Sequence, residues 1–180
     1  MSPGSIDQIF QPQSIWVYTD GSGSTVGMKA GSYAATIMMP DNTFHTVAGA
    51  IWPTTNNRME LLAINAAILF IKDLFAGAVG SITIHIVCDS QITANIIAGS
   101  NEARSNLDLW AQFRTLIVGF ASVFANQISR NSEAPQRQSD AICHVLRVCF
   151  EKACREIVET DGFKTLSFER DSIKLENEDR

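Results

Sequence analysis

The chain has 180 residues, of which 46% are hydrophobic and 18% charged, enough for one compact domain with a buried core. Its longest apolar run, Leu61 to Ile71, is broken by Asn65 and falls short of the roughly 20 residues a bilayer requires, which excludes a membrane-spanning helix. The net charge of −5 argues at first sight against a polyanionic partner, whose phosphates call for lysine and arginine.

In chain order, the first fourteen residues hold Asp7, three glutamines and no basic residue, so residues 1–14 read as a flexible N-terminus and not as a secretory signal. Ile15 to Thr19 reads as a strand running into Asp20-Gly21-Ser22-Gly23-Ser24, a flexible glycine-serine turn. Gly31 to Met39 makes a second strand, Pro40-Asp41-Asn42 a turn, and Thr43 to Ile51 a third strand, which together form an antiparallel meander. A helix is predicted from about Asn57 to Phe75, with Ile64, Ala67, Ile68 and Ile71 at helical spacing and Gly77 and Gly80 breaking it. Ile82 to Cys88 is β-branched on both faces and reads as a central strand. Helices at Gln91 to Ala98 and Leu107 to about Val118, a strand from Ala121 to Ser129 and a long helix from Pro135 to about Val158 complete a mixed α/β sheet. Phe163, Leu166 and Phe168 suit a small element packing back, and the charged end, five acids and three bases from Glu169 to Arg180, reads as mobile. The expected organisation is a domain over 15–158 and a partly disordered C-terminal extension over 159–180.

Cys88, Cys143, Cys149 and Cys154 form no C-x-x-C pair and have no histidines at zinc-ligand spacing, so a reduced, intracellular protein is expected. Three of the four fall in the last helix, where they read as small apolar residues.

Four acids stand at matched points of this layout. Asp20 ends the first strand, Asp89 ends the central one, Glu60 lies in the first turn of the first helix, and Asp140 lies near the start of the last. Ligands collect just past strand ends in open α/β sheets, and parallel pairing of the first and fourth strands would bring Asp20 and Asp89 to one edge. Carboxylates gathered in one cleft repel unless neutralised, and Mg²⁺ is the natural counter-ion. Two such ions can activate water and stabilise the leaving oxygen of a phosphodiester, which points to metal-assisted phosphodiester hydrolysis. Discounting the −2 of the last twelve residues and the −4 of four carboxylates facing cations leaves a body of +1, so acidity does not veto a nucleic-acid partner. Each acid also has an ordinary reading. Asp20-Gly21 is a common turn, Glu60 a reciprocal cap to Asn57, Asp89-Ser90 a common cap, and Asp140 a solvated helix residue.

These residues resemble the ribonuclease H family of the bacterial and retroelement type. Tyr18-Thr19-Asp20-Gly21-Ser22 is similar to its first motif, and Thr55-Asn56-Asn57-Arg58-Met59-Glu60-Leu61 is very similar to its second. Cys88-Asp89-Ser90-Gln91 is similar to the third and Ser139-Asp140-Ala141 to the fourth. The resemblance spans about Ile15 to Leu146. It implies a ribonuclease H-like mixed five-stranded sheet flanked by helices. It also implies an endonuclease that cuts the RNA strand of RNA–DNA hybrids with two Mg²⁺ ions, which Mn²⁺ may replace, leaving 5′-phosphate products. It gives Asp20, Glu60, Asp89 and Asp140 the roles of metal ligands, Glu60 also meeting a ribose 2′-hydroxyl. Asn56, Asn57 and Gln91 match positions that reach the hybrid's minor groove, and Thr55 matches a phosphate contact.

Three departures accompany the match. The loop Ser129-Arg130-Asn131-Ser132-Glu133 lacks the family's histidine; Arg130 is its expected substitute, holding phosphate without shuttling protons, with slower turnover as the consequence. His144, beyond Asp140, reads as structural. The span between Asp89 and Leu107 has room for one helix and a turn, with Arg104 its only base, so the basic protrusion of many bacterial relatives is missing and a neighbouring domain, such as a reverse transcriptase, becomes a candidate partner. Gly23-Ser24-Thr25-Val26-Gly27 replaces an Asn-Pro loop. Alternatives of other kinds are a catalytically silent binding or scaffold domain and a DNA nuclease or integrase-like relative. A monomer is expected.

Overall fold

The computed structural model describes residues 13–23, 29–129, 133–159, 165–169 and 172–176. Strand β1 (Gln13–Gly23) is followed by β2 (Gly31–Met38), β3 (Phe44–Ile51), helix α1 (Asn56–Leu74), β4 (Ile82–Cys88), α2 (Gln91–Ile97), α3 (Leu107–Leu116), β5 (Ser122–Gln127) and α4 (Ala134–Glu159). The strands form one mixed sheet in the order β3-β2-β1-β4-β5, antiparallel across β3, β2 and β1 and parallel across β1, β4 and β5. Element order and meander are as the sequence predicts, and β4 lies inside the sheet between β1 and β5, although β1 and not β4 is the middle strand. Past α4, β6 (Thr165–Glu169) and β7 (Ser172–Glu176) pair as an antiparallel ribbon. Residues 1–12 and the loop replacing the Asn-Pro motif, from Ser24 on, lie outside the described residues.

The core sits between one sheet face and α1 with α3. Ile15 and Val17 of β1 and Ile82, Ile84 and Ile86 of β4 alternate onto that face, as the two-residue period of a strand requires. Ile64, Ala67, Ile68 and Ile71 of α1 meet them and are wholly buried. α1 ends at Leu74 and the left-handed turn begins at Ala76 (φ 48°), one residue ahead of the expected breaker Gly77 (φ 78°), whose N donates to Lys72 O. On the other face, Trp16, His85 and Phe124 lie opposite one another in register and stack, with ring centroids 4.4 and 5.6 Å apart. Among the described residues no helix is long and apolar enough to cross a membrane.

Two local readings need correction. β1 does not end at Asp20: it continues to Gly23, because Asp20 pairs with Ala34 and Gly23 with Gly31 on β2, and this ladder overrides the local turn signal of Gly-Ser. Helix α1 starts a residue earlier than predicted, at Asn56, because Thr55 caps it, its Oγ1 accepting from Arg58 N at 3.4 Å. Glu60 therefore stands in the second turn, and Asn57 is not its cap partner.

Candidate active site

The parallel pairing of β1 with β4 ends at Tyr18 and Val87. Two residues farther along the chain come Asp20, still within β1, and Asp89, just past the end of β4, so the register itself delivers both carboxylates to one edge. Glu60 arrives from α1. One carboxylate oxygen from each of Asp20, Glu60 and Asp89 lies within 4.8 Å of the others. Asp20 and Glu60 are buried, at 2% and 3% exposure, and Asp89 is half-buried.

This approach of helix to strand depends on missing side chains. A Cβ on Gly21 would collide with the backbone of Met59 and Glu60, and one on Gly23 would come within 2.5 Å of Asn56 N. The two glycines alternate along β1, so one side of the strand end is bare and the first turns of α1 lie directly against it. Asn56 Oδ1 then accepts from Gly23 N at 3.0 Å and ties the two elements.

Helix α4 secures the same strand end with polar groups. Ser139 Oγ donates to Tyr18 O (3.0 Å), Gln136 Nε2 to Thr19 O (2.9 Å), the Cys143 thiol to Asp20 O (3.1 Å), and Arg147 Nε to Ser22 Oγ (2.9 Å). The Tyr18 phenol bonds the Glu133 carboxylate; burial first, then this bond and charge, push it up to about 12. Burial, followed by the charge of Glu60, pushes the Cys88 thiol up to about 12 as well. Cys143 is raised by burial and then by the charges of Asp20 and Glu60. Both thiols stay neutral near pH 7 and act as buried donors and fillers, not nucleophiles. Cys143 is buried as the small-apolar reading expects, but its thiol also donates; Cys149 is exposed, against that reading, and the side chain of Cys154 lies outside the described residues.

The remaining expected residues divide. Asp140 follows Ser139 on α4, half-buried, and is not among the three acids whose oxygens converge. Asn57 and Gln91 are exposed, with Gln91 Nε2 donating to Asn95 Oδ1 at 2.8 Å. The cap of α2 is Ser90, accepting from Thr93 N, and not Asp89. Asp89 O accepts from Gln127 Nε2 at 3.3 Å. His144 is exposed on α4, and Arg130 lies outside the described residues. The sequence reading missed Gln136, Cys143 and Arg147 as site supports, although their spacing of seven and four residues on one helix marks a continuous face. It also missed the bidentate pair of Arg58 with Asp108, one arm 3.0 Å long, which joins α1 to the start of α3.

Three carboxylates, two of them buried and each with an oxygen within 4.8 Å of the others, are a hard oxygen donor set. They fit a small divalent cation and leave soft-metal chemistry without ligands among these acids. Fold and site together define an α/β protein with a carboxylate centre at the open ends of two parallel strands.

The RNase H family model matches residues 12–145. The chain belongs to the RNase H family. Among solved structures it is similar to the N-terminal RNase H domain of rv2228c from Mycobacterium tuberculosis, at 18% identity and TM-score 0.65, covering 79% of this chain and 99% of that one. It is also similar to RNase H1 from the halophilic archaeon Halobacterium salinarum NRC-1 (21%, TM-score 0.60, 74% and 96% covered). A third, LC11-RNase H1 in complex with an RNA/DNA hybrid, matches at 17% identity and TM-score 0.66, with 78% and 99% covered. At these identities the likeness shows the fold, the mixed five-stranded sheet flanked by helices. No curated protein matches the chain.

Proposed function

We propose that the protein is an endoribonuclease that hydrolyses the RNA strand of RNA–DNA hybrids, with Asp20, Glu60, Asp89 and Asp140 holding two Mg²⁺ ions that Mn²⁺ can replace. The observation that carries the reading is the convergence of Asp20, Glu60 and Asp89 oxygens within 4.8 Å in a chain of the RNase H family. A similar structure is a complex with RNA/DNA hybrid, which supports the substrate class. When bound, the ions supply an activated water and stabilise the leaving oxygen of the phosphodiester, giving 5′-phosphate and 3′-hydroxyl ends.

The chain's own residues bind and orient. Glu60, besides holding metal, accepts a hydrogen bond from a ribose 2′-hydroxyl, a donor that DNA lacks. Asn57 and Gln91 offer exposed amides to the minor groove. Asn56 spends its oxygen on Gly23 N and has its amide nitrogen to offer. Thr55 Oγ1 accepts from Arg58 N, so its hydroxyl proton is available to a DNA phosphate. Arg130 is the expected phosphate contact ahead of α4. With Arg104 the one base between Asp89 and Leu107, grip on the hybrid is modest and a neighbouring hybrid-binding domain would strengthen it.

The test is incubation of the protein and its Asp89→Asn variant with labelled RNA–DNA hybrid, RNA duplex and DNA duplex, with Mg²⁺, Mn²⁺ or chelator. Metal-dependent cutting of hybrid RNA alone, lost in the variant, is expected. Cutting of duplex DNA, or of any substrate by Asp89→Asn at the parent rate, would overturn the assignment, and a folded protein that cuts nothing would favour a silent binding domain.

A further inference from the structure

We propose that Gln136 and Cys143 are positioning residues that grip the two peptide planes on either side of Asp20 and so fix where its carboxylate stands. Thr19 O belongs to the peptide group joining Thr19 to Asp20, and it accepts from Gln136 Nε2 at 2.9 Å. Asp20 O belongs to the next group, joining Asp20 to Gly21, and it accepts from the Cys143 thiol at 3.1 Å. A residue's φ and ψ are the orientations of these two planes about its Cα, so holding both planes sets the direction of the side chain.

The strand needs such a hold here. Beyond the Tyr18–Val87 couple, β1 has lost its ladder with β4, while β2 still pairs with Asp20 through Ala34. α4 supplies the missing restraint at the point where the carboxylates converge. Gln136 and Cys143 are both fully buried, and they stand seven residues apart, two turns along one face of α4. Asp140 is four residues from one and three from the other, so the docking that orients Asp20 also sets the height of Asp140 along the strand.

Gln136 carries a further sign. Its Nε2 is used, but its buried Oε1 accepts no hydrogen bond among the described residues. A buried amide with an unsatisfied oxygen is costly, and an apolar residue of the same shape would avoid that cost. Its donor, not its packing, is what the residue supplies here. Partners that orient metal ligands in this way act through those ligands, and their removal weakens metal binding by roughly 10–100-fold.

The inference rests on reading Asp20 as a metal ligand. The full chain is compared with Gln136→Met, Cys143→Ala and Cys143→Ser by calorimetry with Mn²⁺ alone, by thermal melting, and by amide hydrogen exchange over Thr19 to Gly21 in metal-free protein. Gln136→Met, of similar shape but without a donor, is expected to melt close to the parent, bind Mn²⁺ about 10–100-fold more weakly and exchange faster over these residues. Cys143→Ala should follow it, and Cys143→Ser, which keeps a donor, should stay close to the parent. Parent-like Mn²⁺ affinity in folded Gln136→Met, whether or not its melting point falls, would overturn the inference. Should the parent itself take up no Mn²⁺, the metal reading fails and exchange alone decides: faster exchange in Gln136→Met sustains the positioning role, and parent-like exchange removes it. If Gln136→Met does not fold, Cys143→Ala against Cys143→Ser decides by the same readouts.

Discussion

Replacing Gly21 with alanine probes the bare strand end on which the acid cluster depends. The added Cβ would lie 2.7 Å from Met59 C and 2.9 Å from Glu60 Cα, and nearer still to Glu60 N. Carbon atoms in comfortable contact sit about 3.5–4.0 Å apart, so α1 or β1 must shift by roughly an ångström. All three neighbours are main-chain atoms of α1, and no rotamer change can make room. Overpacking of a dense interior typically costs about 1–3 kcal/mol, and a rigid backbone partner places this case at the upper end. Alanine recovers about 0.5–1 kcal/mol relative to glycine in a strand by restricting the unfolded chain. The net expectation is a loss of about 2 kcal/mol, which at this chain length lowers the melting temperature by roughly 4–8 °C. Because the shift separates Glu60 from Asp20, Mg²⁺ affinity measured by calorimetry should fall as well. Parent-like melting and Mg²⁺ binding in Gly21→Ala would refute the reasoning that glycine is there for close approach.

Two further outcomes follow from the elements around the site. Thr55→Ala removes the cap of α1 and should cost about 1 kcal/mol in urea unfolding, whereas Thr55→Ser should cost little; equal loss in both would show that the hydroxyl does not cap. Asp108 is held down to about 2, chiefly by its hydrogen bond to Arg58, so between about pH 4 and 2 the unfolded chain binds the extra proton. The pair's stabilisation is thus present above about pH 4 and lost as pH falls towards 2. The melting gap between the parent and Asp108→Asn should be small at neutral pH, since Asp108 is exposed, and should close over that window. A gap that widens on acidification would contradict the sign.

Much of this architecture was legible because it rests on local periodicity. The β-branched run from Ile82 to Val87 marks an interior strand, and the helical spacing of Ile64, Ala67, Ile68 and Ile71 marks one buried face; the two meet in the core. That Asp20 and Asp89 come to one edge was legible once parallel pairing of β1 and β4 was assumed, and the register bears that pairing out, although Asp20 lies inside β1 and not at its end. Gly21 and Gly23 misled because their composition signals a turn, while their use is tertiary: they make room for Met59, Glu60 and Asn56. That Gln136, Cys143 and Arg147 join Ser139 in one sheet-facing stripe was missed for a related reason, although their spacing marks one face. Polar residues on a helix ordinarily mark the solvent side, and only the burial of Gln136, Ser139 and Cys143 shows that this stripe faces the sheet.

The ordinary explanations of the acids can now be weighed against where the chain puts them. A turn role for Asp20 fails because Asp20 lies inside the β1–β2 ladder. A capping role for Glu60 fails because Thr55 caps α1, and a capping role for Asp89 fails because Ser90 caps α2. The two capping services are performed by neighbours, Thr55 and Ser90. What the three acids do instead is converge within 4.8 Å, two of them almost wholly removed from water, an arrangement whose desolvation and mutual repulsion lower stability. A chain that gathers these acids at one sheet edge bears that cost at this place in the fold. A cation bound between the acids would offset that cost, and this is the physical reason to look for function at this sheet edge rather than at any other acidic stretch of the surface.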